Sequence, residues 1–313
     1  MNDQSEFDLA RAVPELAELR QLVGRMEYAE LTNRLEHLAV EAPSDLTVAS
    51  DFLAGSSELA AHMQRRLNQE PTDVAAKHLR AHRLILRAWE TRGRSNVEFV
   101  SDQQFTSFQA QLRNAELELL QLCATAPGSS WAWFLRLLTA RGLELGIGES
   151  RRRYDRLVEL HPVHPAAQRQ FLQVLCPKWG GTWDQVFEFV TECRQAAPDG
   201  STAHALVAHA HFERWASSAQ KEATAYLRAP AIQEELRNAA DASVFSPAYQ
   251  RGFDWVETHT AFAFVRAFGG DERGASRHFD ALGPFLDRRL SDYLVDHRLV
   301  DKLRLAALQR ASR

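Results

Sequence analysis

The segment CPKWGGTWDQV, residues 176–186, is the part of the chain whose residue types and spacing best fit a ligand site. Lys178 supplies a positive charge, Trp179 supplies a flat apolar ring, and Gly180 and Gly181 supply backbone amides ahead of a predicted helix. Amides at a helix N-terminus bind anionic groups, so these four residues could form a ligand-binding nook. The alternative is structural, because a tryptophan at a corner between helices usually packs against its neighbours. The glycine pair lacks the pattern GxxxxGKS/T, so no nucleotide-binding loop is predicted.

Histidines are the second group that could carry chemistry. His78 and His82 are four residues apart and therefore share one helix face, as two metal ligands would. No HExxH or comparable motif supplies a third ligand. His204 and His211 are separated by two turns of helix, which is too far for one ion. The sequence therefore predicts no metal site.

Motifs for nucleophilic catalysis and cofactor binding are also missing from the sequence. GxSxG does not occur, and the glycines of ELGIGES (144–150) join two predicted helices instead of following a strand. The arginine run 151–153 is typical of a solvated helix face, with an anionic partner surface as the alternative. We therefore predict no catalytic residues and no cofactor.

The elements that must position these residues are helices. Apolar residues recur at steps of three and four almost throughout, whereas alternation with a period of two is hard to find. Pro43, Pro71, Pro127, Pro162 and Pro198 each follow such a run, at the place where proline stops a helix. The sequence therefore predicts an all-α fold.

These prolines also reveal a repeat. A small residue, a large apolar residue and another apolar residue recur at fixed distances before most of them, which resembles the second helix of a tetratricopeptide repeat. The small residue admits the neighbouring helix and the larger ones fill the seam between repeats. The copies are Leu31, Leu35 and Leu38; Leu59, Met63 and Arg66; Ala115, Leu119 and Leu122; Ser150, Tyr154 and Leu157; Val186, Val190 and Cys193; and, without a proline, Ala275, Phe279 and Leu282.

The repeat predicts the domain organisation. Residues 1–14 form a separate, flexible N-terminal segment, residues 15–290 a degenerate tetratricopeptide-like solenoid, and residues 291–313 a C-terminal capping helix with a charged outer face. One unit is stretched or lost around the loop-like stretch at 91–103. Because that stretch is short, one continuous repeat domain is predicted in preference to two.

Local signals at the corner predict how a helix begins there. Thr182 and Gln185 have the spacing of a capping box, in which each side chain satisfies a backbone amide of the other residue. Trp183 then starts an apolar stripe along that helix, and Trp183→Ala is expected to cost about 3 to 5 kcal/mol, as for a buried tryptophan. Trp179 is the one corner residue that the turn itself does not require.

The stretch PKWGGTWDQVFEFV resembles the Pro-basic-Trp-Gly-Gly-Ser motif of an uncharacterised bacterial domain family found in tetratricopeptide-like proteins. Residues 259–283, HTAFAFVRAFGGDERGASRHFDALG, resemble the closing helical pair of the same family. The family has no activity that could be carried over. The resemblance therefore implies a helical-repeat fold and leaves function open.

Tryptophans outside the corner are candidate anchors for a partner. Trp131 and Trp133 are two residues apart, so they should not both face inward on one helix. Trp215 and Trp255 lie on other predicted first helices, which line the concave face of a solenoid, where peptides dock. An aromatic residue exposed on that face would anchor a partner, and burial of all of them in the core is the alternative.

Composition limits the classes of function. The formal net charge of −4 and a pI of about 6.3 argue against binding to nucleic acid by bulk charge. The most apolar stretch, WAWFLRLLTARGLELGIG, is interrupted by charges, and the N-terminus lacks a signal-peptide pattern, so neither membrane association nor export is predicted. Three cysteines without a CxxC pair favour a reducing compartment, the cytoplasm.

The sequence thus favours a non-catalytic scaffold that binds an unidentified protein or peptide on the concave face of a helical-repeat array. The alternative is a small-molecule-binding protein or an enzyme with a pocket near the PKWGGTW corner. A homo-oligomer with a structural role is a third hypothesis, and the oligomeric state stays open.

Overall fold

The computed structural model of the chain describes residues 5–93, 101–294 and 301–305, and they fold almost entirely into helices. The β-type pairing among them is a single parallel bridge between Glu6 and Phe285. The predicted all-α class is therefore confirmed. The helices are α1 (Leu9–Ala12), α2 (Pro14–Gly24), α3 (Tyr28–Glu41), α4 (Pro43–Ala54), α5 (Ser57–Gln69), α6 (Val74–Arg92), α7 (Asp102–Thr125), α8 (Ser130–Gly142), α9 (Gly146–Val158), α10 (Pro165–Leu175), α11 (Trp183–Ala196), α12 (Leu206–Ala216), α13 (Gln220–Leu227), α14 (Pro230–Ala242), α15 (Trp255–Phe268), α16 (Glu272–Leu282) and α17 (Arg288–Ser291), with 3-10 helices at Pro177–Trp179 and Thr202–Ala205.

The chain divides into two compact units. The inserted unit is Glu15–Gly181, and the host unit combines Met1–Pro14 with Thr182–Arg313. The sequence predicts one repeat domain over residues 15–290, whereas the division falls inside the WGGTW corner. Helices with the same apolar spacing lie on both sides of this point, so periodicity alone does not reveal the boundary.

Helix α8 is the centre of the inserted unit. Consecutive helices from α3 to α10 pack against one another, and α8 also contacts α4 and α6. Nearly every residue of α8 is buried, including the polar Ser130, Arg136 and Thr139. An enclosed helix must bury all its faces, so this predicted first helix forms core and offers no open groove along its length.

The repeated positions lie in helices that end shortly before the prolines. Ala115, Leu119 and Leu122 of α7 are fully buried, and the corresponding positions of α9, α11 and α16 are buried as well. In the weakest copy, Arg66 is half-buried and forms an ion pair with Asp73. The spacing therefore identifies the packed face of each helix correctly.

The host unit is built around α12 and α15, which contact each other and are buried on nearly all sides. The sequence predicts a separate segment at residues 1–14, but residues 5–14 bind the rest of this unit. The amide of Glu6 donates to the carbonyl of Pro284, and the Trp255 indole donates to the carbonyl of Ala12 at 3.2 Å. Backbone pairing and a buried indole explain why this segment is held in place.

Two predicted features fall partly outside the described residues. In the predicted loop at 91–103, α6 ends at Arg92 and α7 begins at Asp102, and residues 94–100 are not described. Of the predicted capping helix at 291–313, residues 301–305 are helical, and residues 295–300 and 306–313 are not described. None of the helices in the described ranges is both long and apolar enough to cross a bilayer.

Candidate functional site

The corner after α10 is shaped by its two glycines. Gly180 adopts the left-handed backbone region with φ of 92°, which glycine enters at low cost. Gly181 passes so close to α10 that a Cβ atom there would overlap the carbonyl of Leu175. The predicted capping box is confirmed, because the Gln185 amide donates to the Thr182 hydroxyl at 3.2 Å and the Thr182 amide to the Gln185 side chain at 3.0 Å.

The glycine amides of this corner are not available to a ligand. The N–H of Gly180 donates to the carbonyl of Pro177 at 3.0 Å, and the N–H of Gly181 donates to the carbonyl of Cys176 at 3.4 Å. A buried or turn-forming amide needs such a partner. The expectation of a ligand nook with free glycine amides is therefore corrected: the turn uses both amides.

Trp179 packs against residues of the inserted unit that are distant in sequence. Its ring meets Trp89 of α6 edge to face, with centroids 6.1 Å apart. The guanidinium of Arg141, at the end of α8, lies 5.0 Å from the Trp89 centroid and 5.6 Å from the Trp179 centroid. Arg92 lies over Trp89 as well, at 5.7 Å. We call Trp89, Arg92, Arg141 and Trp179 the corner cluster.

The corner cluster lies at the protein surface and is held rigidly. Trp89 and Trp179 are both half-buried, and Lys178 beside them is exposed. Arg141 is fixed further by a hydrogen bond of 3.0 Å from its guanidinium to the side-chain oxygen of Gln170 on α10. Aromatic rings with an interleaved guanidinium gain cation–π attraction, so the cluster presents preorganised apolar and cationic surface.

Two of the other predicted anchors are buried, which corrects the expectation that they stand on an exposed face. Trp131 is 6% exposed and stacks on His78 with centroids 4.7 Å apart. Trp255 is 3% exposed. Trp133, expected to face away from Trp131, is buried too, because α8 is enclosed on all sides. These rings contribute to the core.

Trp215 keeps part of its ring at the surface. It lies at the end of α12 and stacks on Phe268, at the end of α15, with centroids 4.2 Å apart and an interplanar angle of 6°. Both rings are half-buried.

Trp183 is half-buried as well. The buried stripe of α11 is therefore formed by residues such as Val186 and Cys193. The loss of stability predicted for truncation of a buried tryptophan does not apply to Trp183.

The two histidines of α6, His78 and His82, form hydrogen bonds with different partners. The ring nitrogens of His78 contact the carbonyl of Val74 at 2.8 Å and the hydroxyl of Ser129 at 2.9 Å. Burial lowers the pKa of His78 to about 4, so its ring is neutral at physiological pH. Among the described residues, no group of three or more potential ligands is placed to hold a metal ion.

His82 lies between a serine and a carboxylate in an order that resembles a catalytic triad. Its Nδ1 is 3.0 Å from the hydroxyl of Ser50, and its Nε2 is 3.4 Å from a carboxylate oxygen of Asp51. Ser50 is completely buried in the middle of α4, and its hydroxyl donates to the carbonyl of Thr47. A nucleophile must reach its substrate, so this arrangement serves packing.

The arginine run at 151–153 is divided between surface and core. Arg153 is buried and forms ion pairs with Glu149 and Glu116, whereas Arg151 and Arg152 are more exposed and pair with residues of their own helix. Hydrogen bonds from Arg152 and Arg153 lower the pKa of Glu149 to about 2. Arg153 of this run thus anchors α9 to Glu116 of α7.

One polar cluster has no signal in the sequence. His211 of α12 lies between Tyr226 of α13 and Glu235 of α14 in the host unit. These residues belong to three helices, and no spacing rule connects them. Only a packed structure brings them together.

Comparison with known proteins does not assign the chain to a family. No protein-family model matches it. No curated protein is significantly similar to it. The resemblance of PKWGGTW to a tetratricopeptide-associated motif therefore stays a prediction based on the motif itself.

Proposed function

We propose that this chain is a tetratricopeptide-like protein that binds a protein or peptide partner, with the corner cluster as part of the docking surface. The observation that supports this proposal is the half-buried pair Trp89 and Trp179 with the Arg141 guanidinium against both rings. Tryptophan and arginine are the residue types most enriched where partner binding energy concentrates.

Rigidity favours the corner cluster over a mobile loop as an anchor. Gly180 and Gly181 fix the backbone on one side of Trp179, and the contact with Trp89 fixes its ring. Side chains that are already ordered lose little entropy when a partner binds. The exposed parts of the two rings can therefore contribute apolar burial at low cost.

The burial pattern favours the ends of the first helices, and not their faces, as the docking surface for a partner. Helices α8, α12 and α15 are enclosed along most of their length. Their half-buried arginine and aromatic residues lie at the C-terminal ends, as Arg141, Trp215 and Phe268 do. We propose that partners contact such helix ends, and not an open groove.

The repeat pattern supports the tetratricopeptide-like class, because buried small and large apolar positions recur in α7, α9, α11 and α16. We propose a cytoplasmic location, which the three cysteines without a CxxC pair favour.

Selection from a library of displayed random peptides on the immobilised full-length chain tests the proposal. For a selected peptide, Trp179→Ala should raise the dissociation constant by roughly 30-fold, the effect of losing a residue worth about 2 kcal/mol. Trp179→Phe should keep most of the affinity because it retains a ring. Trp183→Ala, another half-buried tryptophan, is the matched control and should bind like the wild type.

Two results would overturn the assignment of the corner cluster. One is a selection that enriches no peptide. The other is equal affinity for the wild type and Trp179→Ala, with circular dichroism showing that both proteins are folded.

A further inference from the structure

A continuous chain of polar side chains crosses four helices of the host unit. Arg194 of α11 donates to Oε1 of Glu235 at 3.0 Å, and Oε2 of Glu235 lies 3.2 Å from Nε2 of His211. Nδ1 of His211 lies 2.5 Å from the hydroxyl of Tyr226. The His211 ring is almost fully buried, whereas Tyr226 and Glu235 are half-buried. This hydrogen-bonded network of side chains therefore runs from the surface through a buried imidazole and back to the surface.

The charges in this network of side chains determine which of its groups carry protons. Hydrogen bonding to His211 is the largest effect on the pKa of Glu235 and lowers it, so the carboxylate is ionised. Burial raises the pKa of Tyr226 to about 12, with Arg214 opposing and Glu235 reinforcing that shift, so the phenol stays protonated at neutral pH. Nε2 of His211 then donates to the Glu235 carboxylate, and Nδ1 shares a hydrogen bond with the Tyr226 hydroxyl.

Arg214 carries the charge that this network does not balance. Its guanidinium lies over the Tyr226 ring at 4.5 Å and over the Phe187 ring at 5.8 Å. No carboxylate of the described residues lies within 4.0 Å of it, whereas Arg194 is paired with Glu235. One half-buried positive charge thus remains beside a phenolic donor. A partly desolvated charge is stabilised by a counter-ion.

We propose that Arg214 and the Tyr226 hydroxyl form a binding site for an oxyanion, the carboxylate or phosphate group of a small molecule. The planar guanidinium offers paired donors that match either group. The phenol offers a third, neutral donor whose position is fixed by His211. The rings of Phe187 and Tyr226 both contact the guanidinium and help to hold it in place. This site is independent of the corner cluster.

His211 positions the Tyr226 hydroxyl, because its Nδ1 lies 2.5 Å from the hydroxyl oxygen and its Nε2 lies 3.2 Å from Glu235. Arg194 holds the other oxygen of Glu235 at 3.0 Å. The network therefore fixes this donor in place before an anion binds.

Isothermal titration of the full-length chain tests the site with inorganic phosphate, phenyl phosphate and benzoate, at ionic strength held constant with chloride. The wild type should bind at least one probe saturably, and the preferred probe distinguishes a phosphate from a carboxylate ligand. Arg214→Gln should weaken binding at least tenfold, the effect of losing a charge-assisted hydrogen bond. Arg214→Lys should retain part of the affinity. Arg237→Gln, an exposed arginine on α14, is the matched control and should bind like the wild type.

The variant Tyr226→Phe separates a ligand site from a purely structural arginine, because it keeps the ring beneath Arg214 and lacks only the hydroxyl. It should bind the preferred probe more weakly than the wild type. The proposal is overturned if no probe binds saturably at millimolar concentration. It is also overturned if folded Arg214→Gln binds as tightly as the wild type.

Discussion

Replacement of Glu116 by glutamine removes a carboxylate that joins α7, α8 and α9 in the inserted unit. Its Oε1 accepts hydrogen bonds from Arg136 and Arg153 at 2.9 Å each. Its Oε2 accepts from Thr139 at 2.5 Å and from a second nitrogen of Arg153 at 3.0 Å. Glutamine preserves the size of the side chain and one acceptor, but it places an amide group against a guanidinium. The variant therefore tests the charge and not the volume.

The expected loss follows from burial of the two arginines. Arg136 is 6% exposed and Arg153 is 3% exposed, so neither guanidinium can be hydrated in place of its lost partner. Removing one partner of a buried ion pair costs about 3 to 5 kcal/mol. Arg153 keeps its 2.7 Å contact with Glu149, whereas Arg136 has no second carboxylate among its described ion pairs. We therefore expect Glu116→Gln to lower the free energy of unfolding by about 3 kcal/mol.

Urea unfolding followed by circular dichroism measures this loss. Glu118→Gln, two residues along the same helix, is the control, because its ion pair with Arg80 at 3.0 Å is more exposed. Such a pair contributes at most about 1 kcal/mol. Equal losses in Glu116→Gln and Glu118→Gln would refute the reasoning, since burial would then make no difference to the value of the pair.

Three further measurements probe other features. Gly181→Ala should lower the free energy of unfolding by about 1 to 3 kcal/mol, because the added methyl group overlaps the Leu175 carbonyl. Gly180→Ala has no atom near its Cβ and should lower the free energy of unfolding by about 1 kcal/mol, from left-handed backbone strain alone. The unfolding free energy should fall as the pH drops from about 6.5 to 4: burial lowers the pKa of His78 and of His259 to about 4 in the folded state, so the unfolded chain binds more protons in that window. Nitrogen-15 NMR of the histidine side chains should show that Nε2 of His211 carries a proton, which it donates to Glu235.

Each of these predictions has an outcome that would contradict it. Equal stability of the Gly181→Ala variant and the wild type would mean that α10 can move away from the corner at no cost. A His259→Gln variant should show a shallower dependence of stability on pH, and an unchanged slope would remove that histidine as a cause. A His211 ring protonated at Nδ1 alone would contradict the donation from Nε2 to Glu235.

The sequence predicted the fold features that arise from local chemistry. The spacing of Ala115, Leu119 and Leu122 identified a packed face because the helix period places them together whatever the partner helix is. The capping box of Thr182 and Gln185 was predicted because both of its hydrogen bonds lie within one turn. Such signals survive without knowledge of the tertiary structure.

Features that depend on partners distant in sequence were not predictable. The rule that separated Trp131 from Trp133 assumes one buried face, and α8 buries all its faces. The carboxylate that neutralises the buried Arg136 of this helix lies on α7. The partners of Trp179 lie on α6 and α8, and the groups around His211 lie on three further helices, so no periodic pattern could assemble either site.

The assignment of residues 5–14 to the host unit has a consequence for the order of events during synthesis. These residues are synthesised before the inserted unit, yet Trp255 and the segment around Phe285, which they bind, are made only after it. Residues 5–14 must therefore wait for their binding partners until the inserted unit has been synthesised. Closure of the host unit thus comes late in the synthesis of these segments.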